Sequence, residues 1–280
     1  MKKIGIIGTG LIGGSFALAL KKAYNSEIYG QDKQHLQKAM QLKLTDQTLT
    51  DKNLKQMDAV IIATPVQTIP EIAKNVLEQI SEDCLVFDVG STKQNIALQV
   101  KNHPMRKNFL LAHPIAGTEY SGPQAAFETL FKGKINIICD EEMTEQRILK
   151  KAKKLFNDLK MTLISMNSAE HDKHIAYVSH LSHISSFMLG KTVMDLEKDE
   201  KNIFQMAGSG FASTVRLAKS SPNTWSPIFL ENKKHILQSL DEYIDNLNRF
   251  KIMLYRGNKQ KIKETLQEIN HIEKIIDQIK

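Results

Sequence analysis

The sequence predicts an α/β protein in which a doubly wound, mostly parallel β-sheet is followed by an all-helical C-terminal region. As far as residue 166, short β-branched apolar runs alternate with amphipathic segments, a pattern that places helices on both faces of a parallel sheet. From Asn167 onward no β-rich run appears, and the apolar residues follow helical spacing. We therefore expect two domains, 1–166 and 167–280.

The first unit, from Lys3 to Asp32, is predicted to be a strand, a helix and a second strand that bind a nucleotide. An apolar strand leads into Gly8, Gly10 and Gly13, which have the G-x-G-x-x-G spacing. This spacing permits a tight turn, lets a pyrophosphate approach the backbone and lets the helix pack closely on the strand. The phosphates would meet free N–H groups at the helix N-terminus, as in a Rossmann-type domain. The alternative is a glycine-rich turn in another kind of α/β domain.

Asp32 predicts which dinucleotide binds. It directly follows the second strand, where a carboxylate accepts hydrogen bonds from both hydroxyls of the adenosine ribose and repels a 2′-phosphate. We therefore expect NAD rather than NADP. The expected cofactor-binding residues are Gly8, Gly10, Leu11, Ile12, Gly13 and Asp32.

Composition and charge argue against several other classes of protein. Apolar residues make up 41% and charged residues 25% of the 280 residues, which is ordinary for a soluble globular protein. The net charge of +7 comes with scattered lysines and no basic patch interleaved with aromatic residues, so we expect no nucleic-acid partner. Cys84 and Cys139 lie in apolar runs without metal-ligand spacing, which favours reduced thiols in a cytoplasmic protein without a metal site. No segment is long enough to cross a membrane.

The remaining strands and helices follow in order along the chain. Continuous apolar runs predict buried strands, and the amphipathic segments between them predict the covering helices. The expected strands are Glu27–Gly30, Asp58–Ala63, Cys84–Ser91, Asn108–His113, Lys134–Asp140 and Thr162–Met166. The expected helices are about 68–80, one starting near 92, 168–196, 208–220, 223–256 and 259–279.

Two of the C-terminal helices carry apolar seams that predict helix–helix packing. The spacing alternates between four and three residues, as in a heptad repeat. The first seam is Ile236, Leu240, Tyr243, Leu247, Phe250 and Leu254, and the second is Ile262, Leu266, Ile269, Ile272, Ile276 and Ile279. The seams could bury each other or a second subunit, and we favour a homodimer through these helices.

Reactive side chains follow two of the predicted strands. In an open parallel sheet, ligands bind outside the carboxyl ends of the strands, where Ser91 and His113 are expected. A histidine beside the nicotinamide can take a proton from a substrate hydroxyl while hydride leaves for NAD. Ser91 could hold the tautomer of this histidine, or it could cap the helix that follows. The alternative for His113 is a loop histidine that caps a turn.

The helical region carries two further signals. Ser179, His183 and Ser186 share one helix face, and no Lys or Glu occurs between residues 174 and 190, so we expect this face to line a wet cleft rather than bulk solvent. Arg216 is suited to bidentate recognition of a carboxylate, although a lone arginine on a helix is usually solvated.

Five segments together resemble the prephenate/arogenate dehydrogenase family of tyrosine biosynthesis. They are GTGLIGGS, DVGSTK, HPIAGTEYSGP, SHLSH and GSGF…R…W, and the resemblance runs nearly end to end. It implies a dinucleotide-binding domain followed by a helical substrate and dimerisation domain. Ser182 and Ser209 depart from the proline and glycine usual in the family, and neither change removes a named chemical group.

The activity implied by the resemblance is oxidative decarboxylation of prephenate to 4-hydroxyphenylpyruvate, with NAD as hydride acceptor. By position, His113 matches the catalytic histidine that bonds the ring 4-hydroxyl, with Ser91 supporting it. Aromatisation drives the loss of CO2, so no metal is required. Activity is expected to fall below about pH 6.5 as the imidazole becomes charged.

The resemblance also implies a set of substrate-binding residues. Glu119 and Ser179 match residues that line or gate the pocket. His183 matches the residue that contacts the substrate side chain, and Arg216 matches the carboxylate anchor.

Three alternative functions stay open on the sequence. An arogenate dehydrogenase would act on a substrate with an amine where prephenate has a keto group. A β-hydroxyacid dehydrogenase would need a catalytic lysine on the helix that holds Ser179 to Ser186, where none is present. A non-catalytic NAD-sensing protein could keep the fold and the dimer surface, but the set Ser91, His113, His183 and Arg216 argues against it.

Overall fold

The computed structural model describes residues 1–118, 120–200 and 202–277, without the side chain of Asp199. The chain divides into two compact units, Met1–Lys233 and Lys234–Lys280. The predicted domain boundary between residues 166 and 167 stays a prediction.

The first unit contains a single eight-stranded sheet with the order β3-β2-β1-β4-β5-β6-β7-β8 among the described residues. All neighbouring strands are parallel except β6 and β7, which are antiparallel. The strands are β1 (Lys3–Ile7), β2 (Glu27–Gln31), β3 (Gln47–Thr48), β4 (Ala59–Ile62), β5 (Leu85–Asp88), β6 (Phe109–Pro114), β7 (Ile135–Cys139) and β8 (Thr162–Met166). The predicted fold class is confirmed, and every predicted strand is present; only the two-residue β3 was not expected.

Helices cover both faces of this sheet and continue after its last strand. They are α1 (Leu11–Tyr24), α2 (Leu36–Gln41), α3 (Asp51–Leu54), α4 (Ile69–Leu77), α5 (Gln94–Val100), α6 (Gln146–Asp158), α7 (Ser168–Ile175), α8 (Leu181–Asp199), α9 (Ser209–Thr214) and α10 (Pro222–Glu231). The central strands are buried on both faces, because successive side chains of a strand point to opposite sides. In β4, for example, Ala59 and Ile61 belong to one apolar cluster, while Val60 and Ile62 belong to the other.

Four predicted helices are wrong in their continuity. The helix predicted over 259–279 is divided by a 3₁₀ turn, Asn270–Ile272, and its last residues, 278–279, lie outside the described residues. The helix predicted over 168–196 is interrupted by a π-helical turn, Ala176–His180, between α7 and α8. The helix predicted over 208–220 ends at Thr214 and gives way to a 3₁₀ turn, Arg216–Lys219. The helix predicted over 223–256 is broken at Asn232. The side-chain amide of Asn232 is buried and hydrogen-bonds to Asp172 and His180. The last three of these breaks each occur beside a side chain of the site described below.

The second unit is helical, with α11 (Lys233–Tyr255) starting at its border and α12 (Lys259–Ile269) and α13 (Glu273–Ile276) following. Ile236 of the first predicted seam is buried. Other seam residues are exposed, namely Leu247, Leu254, Leu266, Ile269, Ile272 and Ile276. No helix in the described ranges is long and apolar enough to span a membrane.

Candidate active site

Of the three glycines between the end of β1 and the first turn of α1, one leaves room for a ligand. At Gly8, whose φ is +91°, an added Cβ would collide with the backbone of Ala63. At Gly13 it would collide with the carbonyl oxygen of Gly8. At Gly10 it would meet no described atom within 4 Å. The first two glycines are therefore required by packing, whereas Gly10 keeps the approach to the loop open.

The N-terminus of α1 fits the phosphates of a dinucleotide. Its N-cap residue, Gly10, has no side chain with which to cap the helix, and no acidic residue lies in the first turn among the described residues. The N–H groups of Leu11 and Ile12 at this end lack an i−4 partner within the helix. The unpaired N–H groups and the helix dipole both favour an anion there.

Asp32 lies directly after β2 and ties the glycine loop to the segment that follows β2. Its Oδ2 accepts hydrogen bonds from the backbone N–H of Thr9 at 2.7 Å and from the Thr9 hydroxyl at 3.1 Å. Its Oδ1 accepts from the N–H groups of Gln34 and His35, both at 2.8 Å. Burial alone would raise the pKa of Asp32, but these hydrogen bonds outweigh burial and lower the pKa. A fixed negative charge suits ribose hydroxyls and repels a 2′-phosphate, so the loop, the helix end and Asp32 together fit NAD.

The second part of the site lies at the carboxyl ends of β5 and β6, which are adjacent parallel strands. His113 is the next-to-last residue of β6, and its side chain is partly buried. Ser91 follows the end of β5 and is also partly buried. The two residues therefore share one edge of the sheet.

A buried histidine and a buried aspartate stand behind His113. The Nδ1 atom of His113 is 2.8 Å from Nε2 of His171, and Nδ1 of His171 is 2.8 Å from Oδ1 of Asp172. His171 and Asp172 belong to α7 and are 1% and 2% exposed. The Asp172 carboxylate also accepts hydrogen bonds from the N–H groups of Lys93 at 2.7 Å and Gln94 at 2.9 Å. It thereby fastens α7 to the start of α5.

Ser91 has neither of the two contacts considered for it on the sequence. His171 is the residue within hydrogen-bonding distance of the His113 ring, and Asp172 rather than Ser91 caps α5. Sequence reasoning missed both α7 residues, because 58 residues separate His113 from His171. One signal was present: with Ile175, His171 and Asp172 lie on the face of α7 that helical spacing places against the core.

A buried ion pair lies next to β6, the strand that carries His113. The Nζ atom of Lys93 pairs with Oδ2 of Asp88, and both side chains are fully buried. The same ammonium donates a hydrogen bond to the carbonyl of Ala112 at 2.7 Å, on the residue before His113. Burial raises the pKa of Asp88, and the charge of Lys93 opposes that rise. The pair brings a positive charge close to the imidazole of His113.

Electrostatics favour neutral histidines in this cluster. Burial lowers the pKa of His113 well below its usual value, and His171, Lys93 and His180 lower it further. Burial also lowers the pKa of His171, although the Asp172 carboxylate opposes this. Near pH 7 both imidazoles are therefore uncharged, and each has one nitrogen that donates and one that accepts.

His183 and Trp225 form a stacked pair in the helical region, next to His180. The Nδ1 atom of His183 donates to the carbonyl oxygen of Ser179 at 3.0 Å, and the imidazole stacks on the Trp225 ring with 3.4 Å between centroids. Burial lowers the pKa of His183, the Ser179 carbonyl raises it, and the charge of Arg216 lowers it further. Arg216 is thus within electrostatic range of His183. The π-helical turn just before α8 is a distortion often found at functional sites.

Ser186 anchors the turn that carries Arg216. Its hydroxyl donates to the carbonyl of Thr214 and accepts from the N–H of Ala218, both at 3.1 Å. The side chain of Ser186 is 2% exposed, so the expectation that it lines a wet cleft is wrong. Arg216 itself is exposed at the start of its 3₁₀ turn.

His180 and Asn232 add a buried contact that the sequence did not predict. The Asn232 amide donates to Nδ1 of His180 at 3.2 Å and to the carbonyl of Asp172 at 2.7 Å. Burial lowers the pKa of His180 to about 4, with Asp172 opposing, so this imidazole is neutral. Its Nε2 has no hydrogen-bond partner among the described residues. Glu119, the remaining predicted site residue, lies outside the described residues.

None of these residues forms a metal site within the described ranges: no cluster of three or more His, Cys, Asp or Glu side chains could hold an ion. Cys84 and Cys139 are both buried and unpaired thiols.

Two family models match successive parts of the chain. The nucleotide-binding domain of prephenate dehydrogenase matches residues 16–165, and its dimerization domain matches residues 167–268. The prephenate dehydrogenase of Bacillus subtilis (strain 168) is 34% identical over 257 residues, which are 88% of this chain and 68% of that protein.

Solved structures give the same family. The prephenate dehydrogenase of A. aeolicus, in complex with hydroxyphenyl propionate and NAD+, is 33% identical with a TM-score of 0.90, over 99% of this chain and 98% of that one. The arogenate dehydrogenase of Synechocystis is 25% identical with a TM-score of 0.81, over 98% of this chain and 99% of that one. By sequence and by fold, the chain belongs to the prephenate dehydrogenase family.

Proposed function

We propose that the chain catalyses the NAD-dependent oxidative decarboxylation of prephenate to 4-hydroxyphenylpyruvate. The observation that carries this proposal is a neutral imidazole, His113, at the carboxyl edge of a sheet whose first loop fits NAD. Family membership supports it, because the solved A. aeolicus relative binds NAD+ and hydroxyphenyl propionate, a phenol with an acidic side chain.

When bound, NAD supplies the acceptor for the hydride that leaves C4 of the substrate ring. His113 takes the proton of the 4-hydroxyl as that hydride departs, so the hydroxyl becomes a carbonyl. The bond between the ring and its carboxylate then breaks, CO2 leaves, and the electron pair of that bond makes the ring aromatic. The oxygen, now a phenolate, can take the proton back from His113.

The other predicted residues bind and orient the substrate in this proposal. Arg216 binds a carboxylate through charge-assisted hydrogen bonds, and His183 contacts the substrate side chain. Ser91, which follows the adjacent strand β5, is proposed to support His113 from the same edge of the sheet. Ser179 and Glu119 line or gate the pocket.

The proposed base sets the expected pH dependence. Because burial lowers the pKa of His113 well below its usual value, protonation stops the reaction at lower pH than the limit near 6.5 expected on the sequence. Near pH 7 the His113 imidazole is therefore neutral and the substrate 4-hydroxyl is protonated, as the proton transfer requires.

We also propose a homodimer in the cytoplasm. The match to the family's dimerization domain supports the dimer, as do the exposed apolar side chains of α11 to α13. An apolar surface of this kind is characteristic of protein–protein interfaces.

The test is NADH formation from prephenate and from arogenate, with NAD and NADP assayed in parallel. We expect the highest kcat/KM with prephenate and NAD. The His113→Asn variant, purified in the same way, controls for a contaminating dehydrogenase. NADH formation from neither substrate would contradict the proposal and favour a non-catalytic NAD-sensing protein.

Arogenate is the second candidate substrate, and the likeness to the Synechocystis arogenate dehydrogenase favours it. The two substrates differ only in an amine or a keto group on the side chain. A kcat/KM for arogenate above that for prephenate would reassign the substrate and leave the role of His113 unchanged.

A further inference from the structure

We propose that His171 and Asp172 are positioning residues that hold His113 in the tautomer whose Nε2 takes the substrate proton. This inference rests on the proposed function, since it assigns a task to groups behind the proposed base. Both residues are buried and act on the reaction through His113 in this proposal.

The direction of the hydrogen bonds follows from the carboxylate at one end. An ionised carboxylate only accepts hydrogen bonds, so the Nδ1 of His171, 2.8 Å from Oδ1 of Asp172, carries a proton. Asp172 is held in place by the two backbone N–H groups of Lys93 and Gln94, which also require it to accept.

The next step fixes the tautomer of His113. Because His171 is neutral with its proton on Nδ1, its Nε2 offers a lone pair to Nδ1 of His113 at 2.8 Å. His113 therefore donates through Nδ1. In a neutral imidazole this leaves Nε2 as the basic nitrogen.

The reverse arrangement would need a second charge in a buried cluster. If His171 were an imidazolium, its Nε2–H would donate to His113 and move the His113 proton to Nε2, where it would block proton uptake. Burial of His171 disfavours that charge. Among the described residues, the other charged groups facing the cluster are the Lys93 ammonium and the Asp88 and Asp172 carboxylates, and neutral His180 also lies near.

The same chain stabilises the charge formed during the reaction. When His113 accepts the substrate proton on Nε2, its Nδ1–H still donates to His171, whose own Nδ1–H donates to Asp172. One proton is taken up and no electrons move between these groups. The carboxylate thereby offsets, through His171, the repulsion between the new imidazolium and Lys93.

The tautomers can be measured without substrate. Long-range ¹H–¹⁵N correlation spectra of protein labelled with [¹⁵N]histidine distinguish Nδ1–H from Nε2–H imidazoles, and the His113→Asn and His171→Gln variants assign the two signals. At about pH 7.5, with and without NAD, we expect both residues to be Nδ1–H tautomers. An Nε2–H tautomer at either residue would overturn the inference, even in a protein with full prephenate dehydrogenase activity.

A matched pair of variants tests the consequence for catalysis. His171→Gln keeps an oxygen that can accept from Nδ1 of His113, whereas His171→Leu has a similar size and no acceptor. We expect kcat to fall by roughly 10²-fold in the Leu variant and by about tenfold less in the Gln variant, with KM for prephenate nearly unchanged. Equal losses of kcat in both folded variants would show that packing alone matters and would contradict the inference.

His174 provides the control, because it is exposed on α7 three residues after His171. His174→Gln and His174→Leu should leave kcat and KM unchanged. If both His171 variants fail to fold, the tautomer of His113 in the unmodified protein, assigned with the His113→Asn variant, still decides the question. If the unmodified protein is inactive on both substrates, the proposed function fails while the tautomer measurement stands by itself.

Discussion

The two halves of the site are built in different ways. The nucleotide half is one continuous β–α–β unit, in which Asp32 reaches back 23 residues to Thr9. The histidine half brings together β6, α5, α7 and α10 through contacts that span 58 to 79 residues. The nucleotide half can be recognised from the spacing of its residues along the sequence. The residues of the histidine half are far apart in sequence and come together only in the folded chain. Changes in the two halves should therefore have different signatures.

The largest expected effect is on chemistry, in the histidine half. His113→Asn should lower kcat by roughly 10²–10⁴-fold, the usual contribution of a general base, because the asparagine amide cannot take the proton. NAD affinity, measured by titration calorimetry, should be unchanged, since the glycine loop belongs to the other half. A nearly normal kcat would remove His113 from the mechanism.

The next effect is on substrate binding. Arg216→Ala should raise the KM for prephenate by about 10- to 100-fold, because hydrogen bonds to a charged group contribute about 1.5–3 kcal/mol. Lys219→Ala is the matched control, since Lys219 is an exposed cation of the same 3₁₀ turn. Steady-state kinetics that give equal KM values for the two variants would point to another carboxylate anchor.

In the nucleotide half, substitutions at Gly10 and Gly13 should separate NAD affinity from protein stability. Gly10→Ala adds a methyl group in open space, so the protein should melt normally while its NAD affinity falls by about tenfold. Gly13→Ala places a methyl group against the Gly8 carbonyl, so its Tm should fall as well. Calorimetry of both variants separates the effects, and an unchanged Tm for Gly13→Ala would contradict the packing described here.

The smallest expected effect is on stability in acid. His180 is neutral when folded, with a pKa of about 4, and has a pKa of about 6.5 when unfolded, so the unfolded chain binds more protons as pH falls below 6.5. This single residue should remove about 2 kcal/mol of stability by pH 5. His180→Gln should therefore show a smaller drop in Tm between pH 7.5 and pH 5 than the unmodified protein. An equal drop would mean that His180 is already charged in the folded state.

The sequence predicted the nucleotide half in detail because its strand, glycines, helix and terminal acid follow one another within one short segment, Lys3 to Asp32. Gly13 is required by a contact with Gly8 inside one β–α–β unit, Gly8 by its positive φ and by the backbone of Ala63 after β4, and Asp32 is placed by the end of the second strand. The strand runs were readable for a similar reason, since a strand buried on both faces is a continuous apolar run.

The histidine half was predicted only in part. His113 was found because it ends a strand, but its partner His171 lies on a helix that the sequence marks only as amphipathic. The breaks at Ala176–His180 and Asn232 were not predicted either, because the helical spacing of apolar residues continues on both sides of each. The breaks are stabilised by tertiary hydrogen bonds, among them the one from Asn232 to Asp172.

The carboxylate of Asp172 serves two structures at once, as the cap of α5 and as the support of His171. The start of that helix and the orientation of the imidazoles therefore cannot relax independently. Amide hydrogen exchange at Lys93 and Gln94 then reports on the active site from the protein interior, since opening the helix end releases the carboxylate. A substitution that changes the orientation of the His171 and His113 imidazoles is therefore expected to change the stability of the first turn of α5 as well.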